Sequence, residues 1–207
     1  MFGEVKAIAV MGDDNTTIIP QRCTVGKDKD SCKEQIKQHF LKFGFIAKVK
    51  IHETVAAAEF CSGVFWPCVV NGVETYVLGP KPGKMLPKVP YTLQKMKPEE
   101  VKGMLVGLQS TCHYVPVCRV YVDEMLKKLN DVEAGKHVDK DAKYKVGFGG
   151  CSMAELEPSC LLADFFFERY NLDLSIVENS LREKLANGSL NDTVFWNFLS
   201  SLVEIDC

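Results

Sequence analysis

Val5-Lys6-Ala7-Ile8-Ala9-Val10-Met11-Gly12-Asp13-Asp14-Asn15 is an apolar run that stops on a glycine and two carboxylates. Val5 to Met11 carries a single charge, Lys6, and its shortness and its Val and Ile suit a buried strand better than a helix. Thr16-Thr17-Ile18-Ile19 returns as a second β-prone run, so Gly12 to Asn15 becomes the tip of a hairpin. Asp at a turn has an ordinary use, closing an Asx turn on its own backbone. It also has a chemical one. Two carboxylates on a rigid strand offer hard oxygen ligands to a divalent ion, which is what phosphoryl transfer needs. On this stretch alone both readings stand.

A buried strand needs neighbours on both sides, because its unpaired N–H and C=O groups are costly away from water. The return strand covers one edge, and four residues before Val5 are too few to cover the other. Later strands could do so; the preferred expectation is that the sequence is the C-terminal piece of something larger.

The 207 residues can bury a sizeable core, and 46% hydrophobic with 25% charged residues is an ordinary globular composition. No apolar run reaches the length of a membrane span, and the first residues lack the regions of a secretory signal. Nine cysteines stand at 23, 32, 61, 68, 112, 118, 151, 160 and 207, with no Cys-x-x-Cys pair. Cys112-His113 with Cys118 fits no zinc spacing, so free and mostly buried thiols are expected. Residues 1–102 hold 15 Lys+Arg against 11 Asp+Glu, whereas residues 103–207 hold 10 against 16. The basic half carries the Asp13-Asp14 hairpin, which fits a polyanion partner or a solvated lysine-rich surface equally.

Further along, Asp28 to Phe43 reads as an amphipathic helix capped by Asp30 or Ser31, with Ile36, Phe40 and Phe43 on its apolar face and Gly44 as its stop. Phe45 to Ile51 reads as a half-exposed strand that puts Lys48 and Lys50 on the face opposite Val49 and Ile51. Ala58 to Val70 is β-prone, Asn71-Gly72 is a strong hairpin signal, and Val73 to Leu78 returns. Gly79 to Pro90, with four prolines and two glycines, reads as a loop. Helices are expected from Pro98 to about Ser110, from Pro116 to Lys128, and over Ala154–Tyr170, Ser175–Ala186 and Asp192–Val203, with an exposed loop over Asn130–Gly150.

That order of motifs resembles the C-terminal part of the RNA-dependent RNA polymerases of positive-strand RNA viruses, nodavirus- and tombusvirus-like ones most closely. Gly12-Asp13-Asp14-Asn15 resembles their third palm motif, Phe43-Gly44-Phe45 through Lys48 the fourth, and Glu59-Phe60-Cys61-Ser62-Gly63 the fifth, the primer grip. Gly79-Pro80-Lys81-Pro82-Gly83-Lys84 resembles the stretch leading into the thumb. The match runs in register over about residues 1–125; beyond it only helical character agrees.

The resemblance implies an α+β fold, a partial right-hand polymerase with palm hairpins and one helix over residues 1–80 and a mostly helical thumb over 81–207. It implies that Asp13 ligates catalytic magnesium, or manganese in its place, and that Asp14 supports it less directly, with Gly12 and Asn15 shaping the turn. Lys48 would protonate the pyrophosphate leaving group, with Lys50 as the fallback. Phe60, Cys61 and Ser62 would touch the primer's 3′ end, although a plain core thiol is nearly as good a reading of Cys61. Lys81, Lys84 and Lys88 would touch template or product phosphates. The implied partners are RNA template and primer, nucleoside triphosphates, and the fingers and upstream palm of the same polymerase, at membrane-associated replication sites in a host cytoplasm.

The family's first motif, which supplies another metal-binding Asp, and its second, which selects ribose, have no counterpart here. Alone, this stretch is therefore expected to be inactive. A non-catalytic RNA-binding role is the alternative from another class. A reverse-transcriptase-like enzyme is the nearer alternative, though Met11-Gly12 departs from the pattern that precedes its two aspartates.

Overall fold

The structure is a computed structural model that describes residues 7–20, 26, 28–89, 96–134, 156–188 and 197–207. Val5-Lys6, most of the expected 130–150 loop, Ala154 and residues 192–196 of the expected last helix lie outside the described residues. The chain packs as two compact units, residues 1–61 and 62–207. The expected palm–thumb limit between residues 80 and 81 falls inside the second.

In the first unit, β1 (Ala7–Met11) and β2 (Asp14–Ile18) form the hairpin read from the sequence. Met11 pairs with Asp14, leaving Gly12-Asp13 as a two-residue loop. Gly12 has φ +61, the conformation that such loops want at their first position and that only glycine adopts without strain. The strand is not buried, however. Ile8 is 58% exposed, Val10 63% and Met11 54%, because the sheet has two strands and no described residue covers the face that carries Ile8 and Val10. The apolar run reads as a core strand only if something packs on it, and nothing among the described residues does.

Helix α1 (Lys29–Leu41) follows. Its cap is Asp28, whose carboxylate accepts from the N–H groups of Asp30 and Ser31, so the cap stands two or three residues earlier than expected. Gly44 at φ +81 closes the other end, with the Phe45 N–H reaching back to the Phe40 carbonyl at 3.1 Å. Phe40 and Phe43 of the expected apolar face are exposed. Phe45 to Ile51 forms no strand, although Ala47, Val49 and Ile51 stay half-buried between exposed Lys48 and Lys50. The alternation was legible; a ladder partner was not. The two-residue strand β3 (Glu59–Phe60) ends the unit.

In the second unit, β4 (Gly63–Val70) and β5 (Val73–Gly79) pair across Asn71-Gly72, both at positive φ as a type I′ turn requires. A short β6 (Leu156–Pro158) adds to β4 at Cys68–Val70. These residues were expected to begin a helix. Pro158 cannot donate within one and its ring would clash with the preceding turn, so α5 (Leu162–Tyr170) starts later, behind Ser159, whose Oγ accepts from the Leu161 N–H at 2.9 Å. The remaining helices are α2 (Pro82–Met85), inside the expected loop, α3 (Pro98–Cys112), α4 (Cys118–Lys128), α6 (Leu174–Asn187) and α7 (Asn197–Asp206). With its antiparallel sheets the chain is α+β, as expected.

The sheet packs on helices through aromatics. Trp66 is fully buried, its ring 5.4 Å from Phe165 and its Nε1 donating to the Pro80 carbonyl. Tyr114 Oη donates to the Leu78 carbonyl at 2.8 Å. At the centre lies a buried carboxylate, Asp206. It accepts from the Gly83 N–H at 2.8 Å, from Arg169 Nη2 at 2.9 Å and from Tyr170 Oη at 3.0 Å. Its two oxygens thus meet three donors, which is the condition under which a buried charge is tolerated.

Candidate metal and RNA site

Asp13 sits in the hairpin loop and Asp14 opens β2, and both are exposed. Asn15 Oδ1 accepts from Thr17 Oγ1 at 3.0 Å, which stiffens the start of the return strand. Thr16 Oγ1 donates to the Glu59 carbonyl at 3.4 Å, tying β2 to the segment that carries Phe60 and Cys61. The Cys61 thiol feels the charges of the tip. It is pushed up from its ordinary range, first by loss of water, then by the charge and hydrogen bond of Asp14, then by the charge of Asp13. Two stretches 43 residues apart, the Gly-Asp-Asp turn and the Glu-Phe-Cys run, therefore meet at one place. Thr16 was not singled out from sequence, yet period-two alternation puts it on the same face of β2 as Asp14.

Phe60 is buried, and Cys61 and Ser62 are both held at positive φ, 49° and 61°. They form the two-residue turn between β3 and β4, where positive φ at both positions is the ordinary type I′ conformation. Lys48 and Lys50 are both exposed. Nothing in the described geometry separates the fourth-motif lysine from its fallback.

In the second unit the three lysines expected on phosphates part company. Lys88 is exposed and Lys84 half-buried, but Lys81 is buried and donates to the Asp206 backbone carbonyl at 3.1 Å. Lys81 is a structural cation, and its expected phosphate contact is corrected accordingly. Its partner lies 125 residues away, beyond the reach of any local signal.

A groove of about 790 Å³ between α3, α4 and α6 is lined by Lys102, Gln109, Arg119, Asp123, Lys127 and Arg182. Most of its polar groups have partners. Arg119 and Arg182 both reach Glu178, Lys127 meets Glu124 at 2.6 Å, and Gln109 meets Asp123. Most of its cations are thus engaged within the fold, Lys102 by the Asn130 and Val132 carbonyls.

The donor chemistry at the tip suits a hard divalent ion in part. Asp13 and Asp14 supply carboxylate oxygens; a thiol held protonated is a poor ligand for magnesium. Among the described residues no three His, Cys, Asp or Glu side chains converge to complete a shell. Among them, too, no helix is long and apolar enough to cross a membrane. No family model, curated protein or solved structure matches the chain.

Proposed function

We infer that the chain is part of the catalytic apparatus of an RNA-dependent RNA polymerase of the positive-strand viral type, transferring nucleotides to an RNA 3′ end. The observation that carries this reading is the contact of Thr16, two residues beyond the Gly12-Asp13-Asp14 turn, with the Glu59 carbonyl of the Glu59-to-Gly63 run. In the polymerases it resembles, the corresponding motifs are the metal site and the primer grip, which must adjoin. Asp13 and Asp14 would hold part of a magnesium shell, the remaining carboxylate coming from outside the described residues. The bound metal would supply charge stabilisation for the attacking and leaving oxygens. Lys48, exposed and cationic, suits protonation of a pyrophosphate leaving group. Lys84 and Lys88 remain as phosphate contacts.

A second reading, an RNA-binding module without catalysis, draws on the incomplete shell among the described residues. The two are separated by Mn²⁺ titration and RNA filter binding on this chain, with Asp13→Ala as comparator, and by primer extension in a polymerase that also carries a first-motif Asp. Nucleotidyl transfer requires Mn²⁺ binding that Asp13→Ala abolishes and extension that the same change lowers by orders of magnitude. RNA retention with no Mn²⁺ dependence on Asp13 favours the binding module. Failure to retain RNA or bind Mn²⁺ overturns both.

A further inference from the structure

The turn that closes α1 carries its apolar residues outward. Phe43 is 68% exposed, Phe45 65% and Ile46 93%, and Leu41 before them is exposed as well. Single apolar residues at a surface are ordinary; a run of them at one turn marks a contact surface. The turn is also well tied. The N–H groups of Phe43 and Phe45 return to the Phe40 carbonyl at 3.0 and 3.1 Å, and the Gly44 N–H to the Leu41 carbonyl at 2.9 Å. The His39 ring stands T-shaped against Phe43, with 5.5 Å between centroids. The backbone N–H groups from Phe43 to Phe45 are thus satisfied within the turn, which lowers the cost of taking it out of water. Charge selects the partner. Between Glu34 and Glu53 the chain has Lys37, Lys42, Lys48 and Lys50 and no Asp or Glu. An apolar tip inside a cationic stretch is complementary to an anionic surface with an apolar layer beneath it. Single-stranded RNA is anionic too, but its bases stack on aromatic rings, and Ile46, the most exposed of these side chains, has none.

We propose that this turn is a peripheral membrane-docking tip: Phe43, Phe45 and Ile46 enter the headgroup region of a bilayer, and Lys37 and Lys42 meet the charged headgroups of anionic lipids. Phenyl and aliphatic side chains bury at the boundary between headgroups and acyl chains, and lysines beside them add attraction to an anionic leaflet. Stable anchoring takes two such signals, and this turn holds both. Docking of this kind lays the turn on the surface and needs no spanning helix. It is independent of the nucleotidyl-transfer reading, and Lys48 is kept in every variant that tests it.

The test is co-sedimentation of the full chain with vesicles. Vesicles of equal parts phosphatidylcholine and phosphatidylserine should bind it, pure phosphatidylcholine much less, and added salt should weaken the binding. Phe45→Ser with Ile46→Ser should lower the affinity about tenfold or more. Lys37→Gln with Lys42→Gln should remove most of the preference for phosphatidylserine, about fivefold for each lysine. All four positions are exposed, so circular dichroism should show α1 unchanged. In a Phe45→Trp variant, brominated acyl chains should quench fluorescence beyond their effect on the unsubstituted chain, whose Trp66 is fully buried. No binding to the mixed vesicles, binding indifferent to the Phe45 and Ile46 changes, or no added quenching overturns the proposal. So does a dimer in lipid-free sedimentation, or retention of single-stranded RNA, that those changes abolish while vesicles do not bind. The dimer would give the tip to a second copy, and the retention would give it to RNA.

Discussion

The two units of this chain use apolar residues in opposite ways. In residues 62–207, Trp66, Leu105, Val122, Phe166, Leu181 and Leu202 are all buried, and even the charged Lys81 and Asp206 are enclosed and paired. In the described part of residues 1–61 only Cys32, Ala56 and Phe60 are buried, while Ile8, Val10, Met11, Phe43 and Ile46 face water. The second unit is held by its interior, and the first by turns, caps and a two-stranded ladder. A two-stranded hairpin is marginal by itself. What it offers instead is a tip that carries two exposed carboxylates, so the proposed chemistry lies where the stabilising core is thinnest.

The sharpest test of that contrast sets two aspartates side by side. Asp206→Ala leaves the Arg169 guanidinium buried without its carboxylate and should cost the second unit about 3–5 kcal/mol. Asp13→Ala, at an exposed loop, should leave the urea midpoint in place. Equal destabilisation by the two changes would break the comparison. Next in size is Gly83→Ala. An added Cβ would come within 2.2 Å of the Leu202 carbonyl oxygen and 2.8 Å of the Val203 nitrogen, and neither backbone group can swing aside. A loss of about 1–3 kcal/mol, read by thermal unfolding, is expected from such overpacking. No change would mean that α2 and α7 do not pack as described.

How far these features were legible depends on their reach along the chain. Gly12, Gly44 and Asn71-Gly72 announce their turns because a turn is chosen by the few residues within it. Asp28 took the cap from Asp30 and Ser31 by a difference of register that propensity does not resolve. Lys81 was expected on a phosphate from a proline-rich loop, because nothing near it in sequence discloses a partner at Asp206. The exposure of Ile8 and Val10 was misread for a related reason: an apolar run states that burial is favourable, not that a covering layer is present. At the site, the residues of the Gly-Asp-Asp turn and of the Glu-Phe-Cys run were each visible in the sequence. Their contact depends on Thr16 meeting a backbone carbonyl, which no motif encodes.

Alkaline pH should separate the units less steeply. Burial pushes the Cys68 and Cys112 thiols in the second unit up to about 12, from an ordinary 9.0. The folded state then keeps protons that the unfolded state releases, so the stability they contribute is full below pH 9 and falls as pH rises toward 12. Urea midpoints of the second unit should therefore decline above about pH 9, and Cys112→Val should flatten the decline by removing one titrating group. A midpoint that stays level across that range would contradict the burial of both thiols.

The smallest expected effect bears most directly on the first unit. Val and Ile in a core strand lose roughly 1.5–3 kcal/mol of burial when exchanged for something polar. Ile8 and Val10 already face water, and their strand is held to β2 by the backbone pairs Ile8 with Thr17 and Val10 with Asn15. Thr has a branched Cβ and a strand preference close to theirs. Ile8→Thr and Val10→Thr should accordingly change stability by less than about 0.5 kcal/mol each, and their sum should be additive within the same margin. Hydrogen exchange at the amides of Ala7 to Ile18 would read the hairpin directly, with little change in protection expected for either variant. A loss of core size in either would mean that a layer covers this face, and the first unit would then be held by an interior like the second.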